Sequence, residues 1–227
     1  MTKTIDILYS VVSALTLSGL SPWAESLCAW SPLAVGTVFL LLCAPPWRVL
    51  RKGQNRSEAL FWLALLLLGA LFRLLVPESG RAVALLLMLL GGCEGSLAGG
   101  FHAGPLLNSL RLMKRSIILK AHPNAVVGLR RDGAVLDTQN ASDETLGVIS
   151  YMAAQLLLSF FLCFGMDDFS EAMLLSAAAL GNNGWILLLL SDASPAGLLG
   201  SGGKLFLIPV MLAGRALTIL RRRRPKF

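Results

Sequence analysis

The sequence predicts an all-α membrane protein with about five transmembrane helices and two re-entrant loops. Three observations support this fold class. The 227 residues are 55% hydrophobic and 15% charged, with a mean hydropathy of +0.69. Several apolar runs are long enough to cross a bilayer, which takes about 20 residues per helix. The basic residues are concentrated between these runs, which is typical of loops retained on the cytoplasmic side.

Five segments have the length and composition of membrane crossings: about Ala29–Pro45, Glu58–Val76, Ala82–Gly100, Glu144–Met166 and Gly203–Leu220. Fifteen of the 20 Lys and Arg residues form three clusters: Arg48, Arg51, Lys52 and Arg56; Arg111, Lys114, Arg115, Lys120, Arg130 and Arg131; and Arg221, Arg222, Arg223, Arg224 and Lys226. The opposite connections are acidic and contain Glu78, Asp167, Asp168, Glu171 and Asp192. Because all three clusters can be cytoplasmic at once, we predict a multi-pass plasma-membrane protein with a cytoplasmic C-terminus.

Two further apolar segments, Ile5–Leu20 and Phe169–Leu190, do not fit simple crossings. Each contains a short helical part that ends in a tract of Ser, Ala and Gly: SVVSALTLSGLS and LLSAAALGNNGW. A short helix, an extended stretch with glycine and a crossing back describe a re-entrant pore loop. Carbonyl groups exposed in this way can replace the hydration shell of a cation. A core helix with a glycine packing contact is the alternative.

The stretch GGCEGSLAGG, at positions 91–100, follows an apolar run and contains five glycines. Non-helical backbone at membrane depth is tolerated only where it is buried in protein or faces water. Glu94 in this stretch would cost roughly 2.5–3.5 kcal/mol if it faced lipid. Because five glycines continue a helix poorly, we expect the helix to break in this stretch, with Glu94 either hydrated inside the protein or near a membrane interface.

These motifs resemble the Trk/Ktr/HKT superfamily of potassium transporters. GGCEGSLAGG is similar to the family's glycine-rich GG-x-x-GST-x-GG-x-K motif, and AHPNAVVGLRRDGAVL is similar to the cytoplasmic HP-x-A-V connection of the bacterial Trk membrane subunit. ALGNNGW and SALTLSGLS resemble two selectivity-filter loops of the family. Gly214 and Arg215 match a G-R pair in its last helix. The resemblance covers nearly the whole chain.

The family fold has four repeats, each made of an outer helix, a pore loop and an inner helix. The resemblance implies that residues 1–50 are the pore loop and inner helix of repeat 2, and that 51–120 are repeat 3 with a glycine-broken inner helix. Residues 121–143 become a cytoplasmic connection. Residues 144–227 become repeat 4 with its pore loop, inner helix and polybasic tail.

The resemblance also implies the site residues. The ion filter would contain Ser18, Gly19, Gly181, Asn182, Asn183 and Gly184. The gate below it would lie within Gly91–Gly104 and contain Gly91, Gly92, Glu94, Gly95, Ser96, Gly99, Gly100 and Arg215. Arg215 would raise a barrier to ions, with Glu94 as a partner.

The sequence departs from the family pattern at several points. The first repeat and the outer helix of the second have no counterpart in these residues. Only VPESGR, at positions 76–81, connects two crossings of repeat 3, which is too short for a pore helix and a filter strand. Leu97 and His102 stand where the family has Thr and Lys, and Asn182 and Asn183 replace small residues. One chain therefore supplies two of the four filter segments.

We expect from this resemblance a subunit that transports monovalent cations, with potassium as the substrate, no cofactor and no enzyme activity. The implied setting is a bilayer of the bacterial inner-membrane type, and the implied partners are a second copy of the chain and a cytosolic ring of nucleotide-binding subunits on Arg111–Arg131. The alternative is a membrane scaffold that keeps the fold without conducting.

Other functions are weakly indicated. GGCEGSLAGG lacks the Gly-Lys-Ser/Thr ending of a phosphate loop, and no strand precedes it. The polybasic tail is more typical of a topology anchor than of a nucleic-acid site. No metal site is expected, because the four cysteines lie in or beside apolar runs and His102 and His122 have no partner at ligand spacing.

Overall fold

The computed structural model describes residues 2–20, 56–76, 79–93, 96, 98–124, 127–131, 134–135, 137–166, 168–190 and 199–223. Within these ranges the chain forms eight helices: α1 Thr2–Thr16, α2 Arg56–Leu75, α3 Gly80–Leu90, α4 Ala103–Ala121, α5 Thr138–Cys163, α6 Phe169–Gly181, α7 Trp185–Leu190 and α8 Ser201–Arg223. The only other regular structure there is an antiparallel pairing of Arg130–Arg131 with Ala134–Val135. The predicted crossing Ala29–Pro45 lies outside the described ranges.

Three of these helices are long and apolar enough to cross a membrane: Ser57–Leu75 in α2, Thr138–Cys163 in α5 and Ser201–Leu220 in α8. They correspond to three of the predicted crossings. Their outer faces carry exposed large apolar side chains such as Leu67, Phe161 and Leu220. An apolar surface of this extent is suited to lipid rather than to water.

Helix α5 begins six residues before the predicted start of its crossing at Glu144. Asp137 precedes the helix in an extended conformation, and its side chain accepts a hydrogen bond from the Gln139 N–H at 3.3 Å. This is the N-cap arrangement that satisfies one of the free N–H groups at a helix start. The connection between α4 and α5 is correspondingly shorter than the predicted 121–143.

The predicted crossing Ala82–Gly100 is interrupted, as its glycines led us to expect. Helix α3 ends at Leu90, and the next helix begins at Ala103. An 11-residue helix rises only about 16 Å, well short of the roughly 30 Å hydrocarbon core. The interruption predicted from the glycines is thus confirmed, and we call residues 91–102 the break.

The break interrupts the course of a helix without reversing its direction. The contacts of α2 follow one order along its length: Gly69 faces Val83 and Leu87 of α3, Trp62 donates to Gly91 in the break, and Ser57 accepts from Arg111 of α4. Helices α3 and α4 therefore lie end to end along α2. The Phe101 N–H donates to the Leu89 carbonyl at 3.1 Å, so the last residues of the break lie close to the end of α3.

The connection between α2 and α3 is short. Helix α2 ends at Leu75 and α3 begins at Gly80. Within this connection, the Ser79 N–H donates to the Val76 carbonyl at 3.0 Å. No pore helix fits between these two helices, in agreement with the sequence.

The two segments predicted to be re-entrant both contain a short helix that ends in a turn. Helix α1 ends at Thr16, and α6 ends at Gly181. Every residue of α6 from Leu174 to Gly181 is buried, which is typical of a helix in the centre of a bundle. The backbone after the second turn is helical as α7, not extended as predicted, because the Ile186 and Leu187 N–H groups bond to the Asn183 and Gly184 carbonyls.

We predict that Gly91→Ala destabilises the fold. Gly91 has φ +65°, and an added Cβ would collide with the Gly99 carbonyl oxygen. A left-handed conformation costs a non-glycine residue about 1–3 kcal/mol before any clash is counted. The midpoint of thermal unfolding in detergent should fall by several degrees.

Gly202→Ala is the matched control. An added Cβ on Gly202 in α8 meets nothing within 4 Å. Equal midpoints for the two variants would contradict the packing described for the break.

Candidate functional site

The two glycine turns predicted as filter segments lie against each other. The Gly184 N–H donates to the Ser18 carbonyl at 2.7 Å. Trp185 Nε1 donates to the Leu17 carbonyl at 2.9 Å, across 168 positions of sequence. The structure therefore brings the ends of α1 and α6 together through backbone and indole hydrogen bonds.

Both turns require glycine at their point of contact. Gly19 has φ +72°, and a Cβ there would lie 2.9 Å from the backbone nitrogen of Trp185. A Cβ on Gly184 would lie 2.5 Å from the Ser18 carbonyl oxygen. Real Cβ atoms do not approach backbone atoms this closely, so a larger residue at either position would force the turns apart.

Hydroxyl groups hold the first turn in place. Ser13 and Ser18 share a hydrogen bond of 2.8 Å between their Oγ atoms, and Ser13 Oγ also accepts from the Leu20 N–H at 3.1 Å. Ser18 Oγ lies 3.2 Å from the sulfur of Met211 in α8. Ser18 is fully buried, so its side chain supports the turn and does not line an open path.

Asn182 fixes the second turn to α8. It ends α6 in the left-handed conformation with φ 49° and ψ 41°. With its amide oxygen facing the helix, it accepts from the Arg215 N–H at 2.9 Å and donates to the Met211 carbonyl at 3.3 Å. This side chain bridges one step of the α8 hydrogen-bond ladder. Gly214 permits the approach, because a Cβ there would collide with the Leu180 carbonyl oxygen.

Asn183 points in a different direction, toward the end of α3. Its Nδ2 donates to the Met88 carbonyl at 2.8 Å. Both Asn182 and Asn183 are only 2% exposed. The family resemblance implies that both residues belong to an ion filter, and that role stays a prediction.

The break packs against the second turn. The Gly99 N–H donates to the Gly181 carbonyl at 2.8 Å, and a Cβ on Gly99 would lie 2.5 Å from the same oxygen. The break also closes on itself, since a Cβ on Gly100 would lie 2.9 Å from the Gly91 Cα. His102 Nδ1 lies 3.2 Å from the Gly92 carbonyl oxygen. Three glycines of the predicted gate, Gly91, Gly99 and Gly100, thus form tight backbone contacts.

The predicted gate residues are only partly described. Gly92 and Ser96 are buried inside the break, and Arg215 is half-buried on α8 next to Gly214. Glu94 and Gly95 lie outside the described ranges, and so the pairing of Glu94 with Arg215 stays a prediction. A cavity of about 10 Å³ separates the break from α8, lined in part by Gly100, His102, Gly214 and Thr218. That volume is about enough for one water molecule.

A buried network of polar side chains joins α5 to α6. It was not predicted. Gln155 Nε2 of α5 donates to Ser176 Oγ at 2.6 Å and to the Met173 carbonyl at 3.1 Å. Ser159 Oγ lies 2.7 Å from Ser176 Oγ. The polar residues at i and i+4 in the apolar run AAQLLLSFF were a usable signal, because an amide and a hydroxyl inside a crossing need partners.

No protein-family model matches the chain, and no curated protein sequence matches it significantly. The resemblance to potassium transporters therefore remains an expectation from the motifs. The observations at the site itself carry the functional argument.

We predict that Gly184→Ala loosens the first turn. The new methyl group must displace the Ser18 carbonyl and weaken the hydrogen bond that it accepts. Hydrogen–deuterium exchange should then become faster in peptides covering residues 13–20.

Gly200→Ala is the control, because a Cβ on Gly200 meets nothing within 4 Å. If both variants leave exchange in 13–20 unchanged, the contact between the turns is not the one described.

Proposed function

We propose that the chain is a cation-translocating membrane subunit of the Trk type, which moves potassium down its electrochemical gradient. One observation supports this proposal above the others. Two glycine turns that resemble filter loops meet at the ends of two helices, and a glycine-broken helix packs against the second turn. We propose that the two turns form the filter and that the break forms the gate next to it.

The helix directions favour a cation near these turns. Helices α1 and α6 both direct their C-terminal ends at the contact between Ser18 and Gly184. A helix C-terminus carries roughly half a negative charge from its aligned peptide dipoles. Two such ends converging on one point lower the electrostatic cost of a desolvated potassium ion there.

Arg215 is a cation of α8 and follows Gly214, which the Leu180 carbonyl approaches. Its backbone N–H is held by Asn182, and the following turn of α8 faces the break through Thr218, whose Oγ1 would lie 3.1 Å from a Cβ on Gly99. A guanidinium group in this part of α8 would raise the barrier to cations. We propose that Arg215 has this role in the closed gate.

A complete filter takes more segments than the two that meet here. We propose that a second copy of the chain contributes them, and that a cytosolic nucleotide-binding subunit docks on the basic face of α4 and the connection after it. Movement of one charge through 100 mV releases about 2.3 kcal/mol, so no other energy source is needed.

The second candidate function is a membrane scaffold that does not conduct. The hydrogen bonds accepted by the carbonyl groups of the two turns favour it. The Leu17, Ser18 and Gly181 carbonyls each accept a hydrogen bond within the protein. The cavity beside the break holds about 10 Å³. Carbonyls that coordinate a cation must instead face a common path.

Rubidium uptake separates the two functions. We expect the chain, expressed in cells that lack their own potassium uptake systems but keep their cytosolic regulatory subunits, to raise uptake above an empty vector. Gly184→Asp should abolish this gain, because a carboxylate cannot fit beside the Ser18 carbonyl.

Gly200→Asp is the control, and the amount of each variant in the membrane fraction is measured alongside. Uptake equal to the empty vector, at equal protein in the membrane, would refute translocation and leave the scaffold.

A further inference from the structure

The ends of α3 and α6 complete each other's hydrogen bonding. The last four carbonyls of any helix lack partners inside that helix. In α6 one of these is the Gly181 carbonyl, which accepts from the Gly99 N–H in the break at 2.8 Å. In α3 one of these is the Met88 carbonyl, which accepts from Asn183 Nδ2 at 2.8 Å. We call these two bonds the reciprocal cap.

The orientation of Asn183 is set by this cap. Its Oδ1 is buried and has no hydrogen-bond partner among the described residues. Rotating the amide group by 180° would not give Oδ1 a partner, since Oδ1 would then face the Met88 carbonyl, and two acceptors repel. The side chain therefore leaves its acceptor unused to keep its donor on α3.

Two other carbonyls in the last turn of α3 accept hydrogen bonds from the break. Leu87 accepts from the Gly91 N–H at 2.9 Å, and Leu89 accepts from the Phe101 N–H at 3.1 Å. Met88 lies between them and depends on Asn183. If the second turn moves away from α3 and the break together, both the Met88 and the Gly181 carbonyls lose their partners.

The geometry points to Asn183 as a positioning residue that makes the second turn and the break open together. Both bonds of the reciprocal cap join the second turn to the same stretch of chain, α3 and the break, so losing the Asn183 bond weakens the hold of the turn on the break. This coupling stands on the geometry alone; its meaning for a gate rests on the proposed function.

Hydrogen–deuterium exchange of the full chain in lipid nanodiscs tests the coupling without any transport assay. Asn183→Leu keeps the number and branching of the side-chain heavy atoms and removes the donor. We expect exchange in residues 91–102 to rise about tenfold, which corresponds to the loss of one hydrogen bond of about 1.4 kcal/mol. Alkylation of Cys93, which is buried in the break, should accelerate by a similar factor.

Gln155→Leu is the matched control, since it also removes a buried side-chain amide. The hydrogen bonds of this amide go to Met173 and Ser176 of α6 and not to the break. This variant should speed exchange in α5 and α6 and leave residues 91–102 and Cys93 unchanged. Equal effects of the two variants on the break, or none from Asn183→Leu, would overturn the inference.

A measurement on the unchanged chain keeps the inference testable if Asn183→Leu does not fold. The backbone N–H groups of Gly99 and Asn183 should exchange with the same free energy of opening. That free energy should also depend on temperature in the same way for both groups. Different values would also overturn the inference. Coupled exchange in a chain that takes up no rubidium would keep the reciprocal cap and reject translocation.

Discussion

The structure depends on one constraint: every backbone N–H and C=O group at membrane depth needs a partner within the protein. A helix that stops inside a bilayer exposes carbonyls that water cannot reach, and each costs several kcal/mol if left bare. Helix α3 stops at Leu90 and still has three of its last carbonyls bonded, through Gly91, Asn183 and Phe101. The break exists because these partners exist.

Glycine makes that solution possible by removing side chains where backbones touch. The break, the second turn and α8 approach one another at Gly99, Gly181 and Gly214, and a Cβ at Gly99 or Gly214 would meet a carbonyl oxygen of the neighbouring segment. Small residues allow membrane helices to pack this closely. Here the close approach also brings N–H groups within reach of carbonyls, so packing and hydrogen bonding are achieved together.

The sequence predicted the coarse fold because hydropathy and glycine content act locally. Three long apolar helices and the break after Leu90 follow from composition alone. The start of α5 could also have been predicted, because Asp137 is a good N-cap residue. Apolar length alone does not reveal it. The contact between the turns at Ser18 and Gly184 was expected only through the family resemblance, because nothing local links segments so far apart.

The direction of the two asparagines could not be predicted from the sequence. ALGNNGW indicates a turn with polar residues, and polar residues near a glycine turn are commonly assigned to a path for ions. Only the tertiary structure reveals that Asn182 bonds to α8 and Asn183 to α3. The same reasoning explains the missed network at Gln155, whose partners lie on another helix.

These bonds decide what conduction would require. A carbonyl oxygen has two lone pairs, so Ser18 or Gly181 can accept an N–H and still face a cation, but only if the neighbouring segment moves aside enough to admit one. The cavity between the break and α8 has a volume of about 10 Å³, which is about enough for one water molecule. Conduction past these carbonyls would therefore require the separation of segments that are bonded backbone to backbone, and the lost bonds would have to be replaced by water or by the ion itself. The hydrogen bonds that let a broken helix persist in a membrane are thus the same ones that an ion path through these turns would have to break.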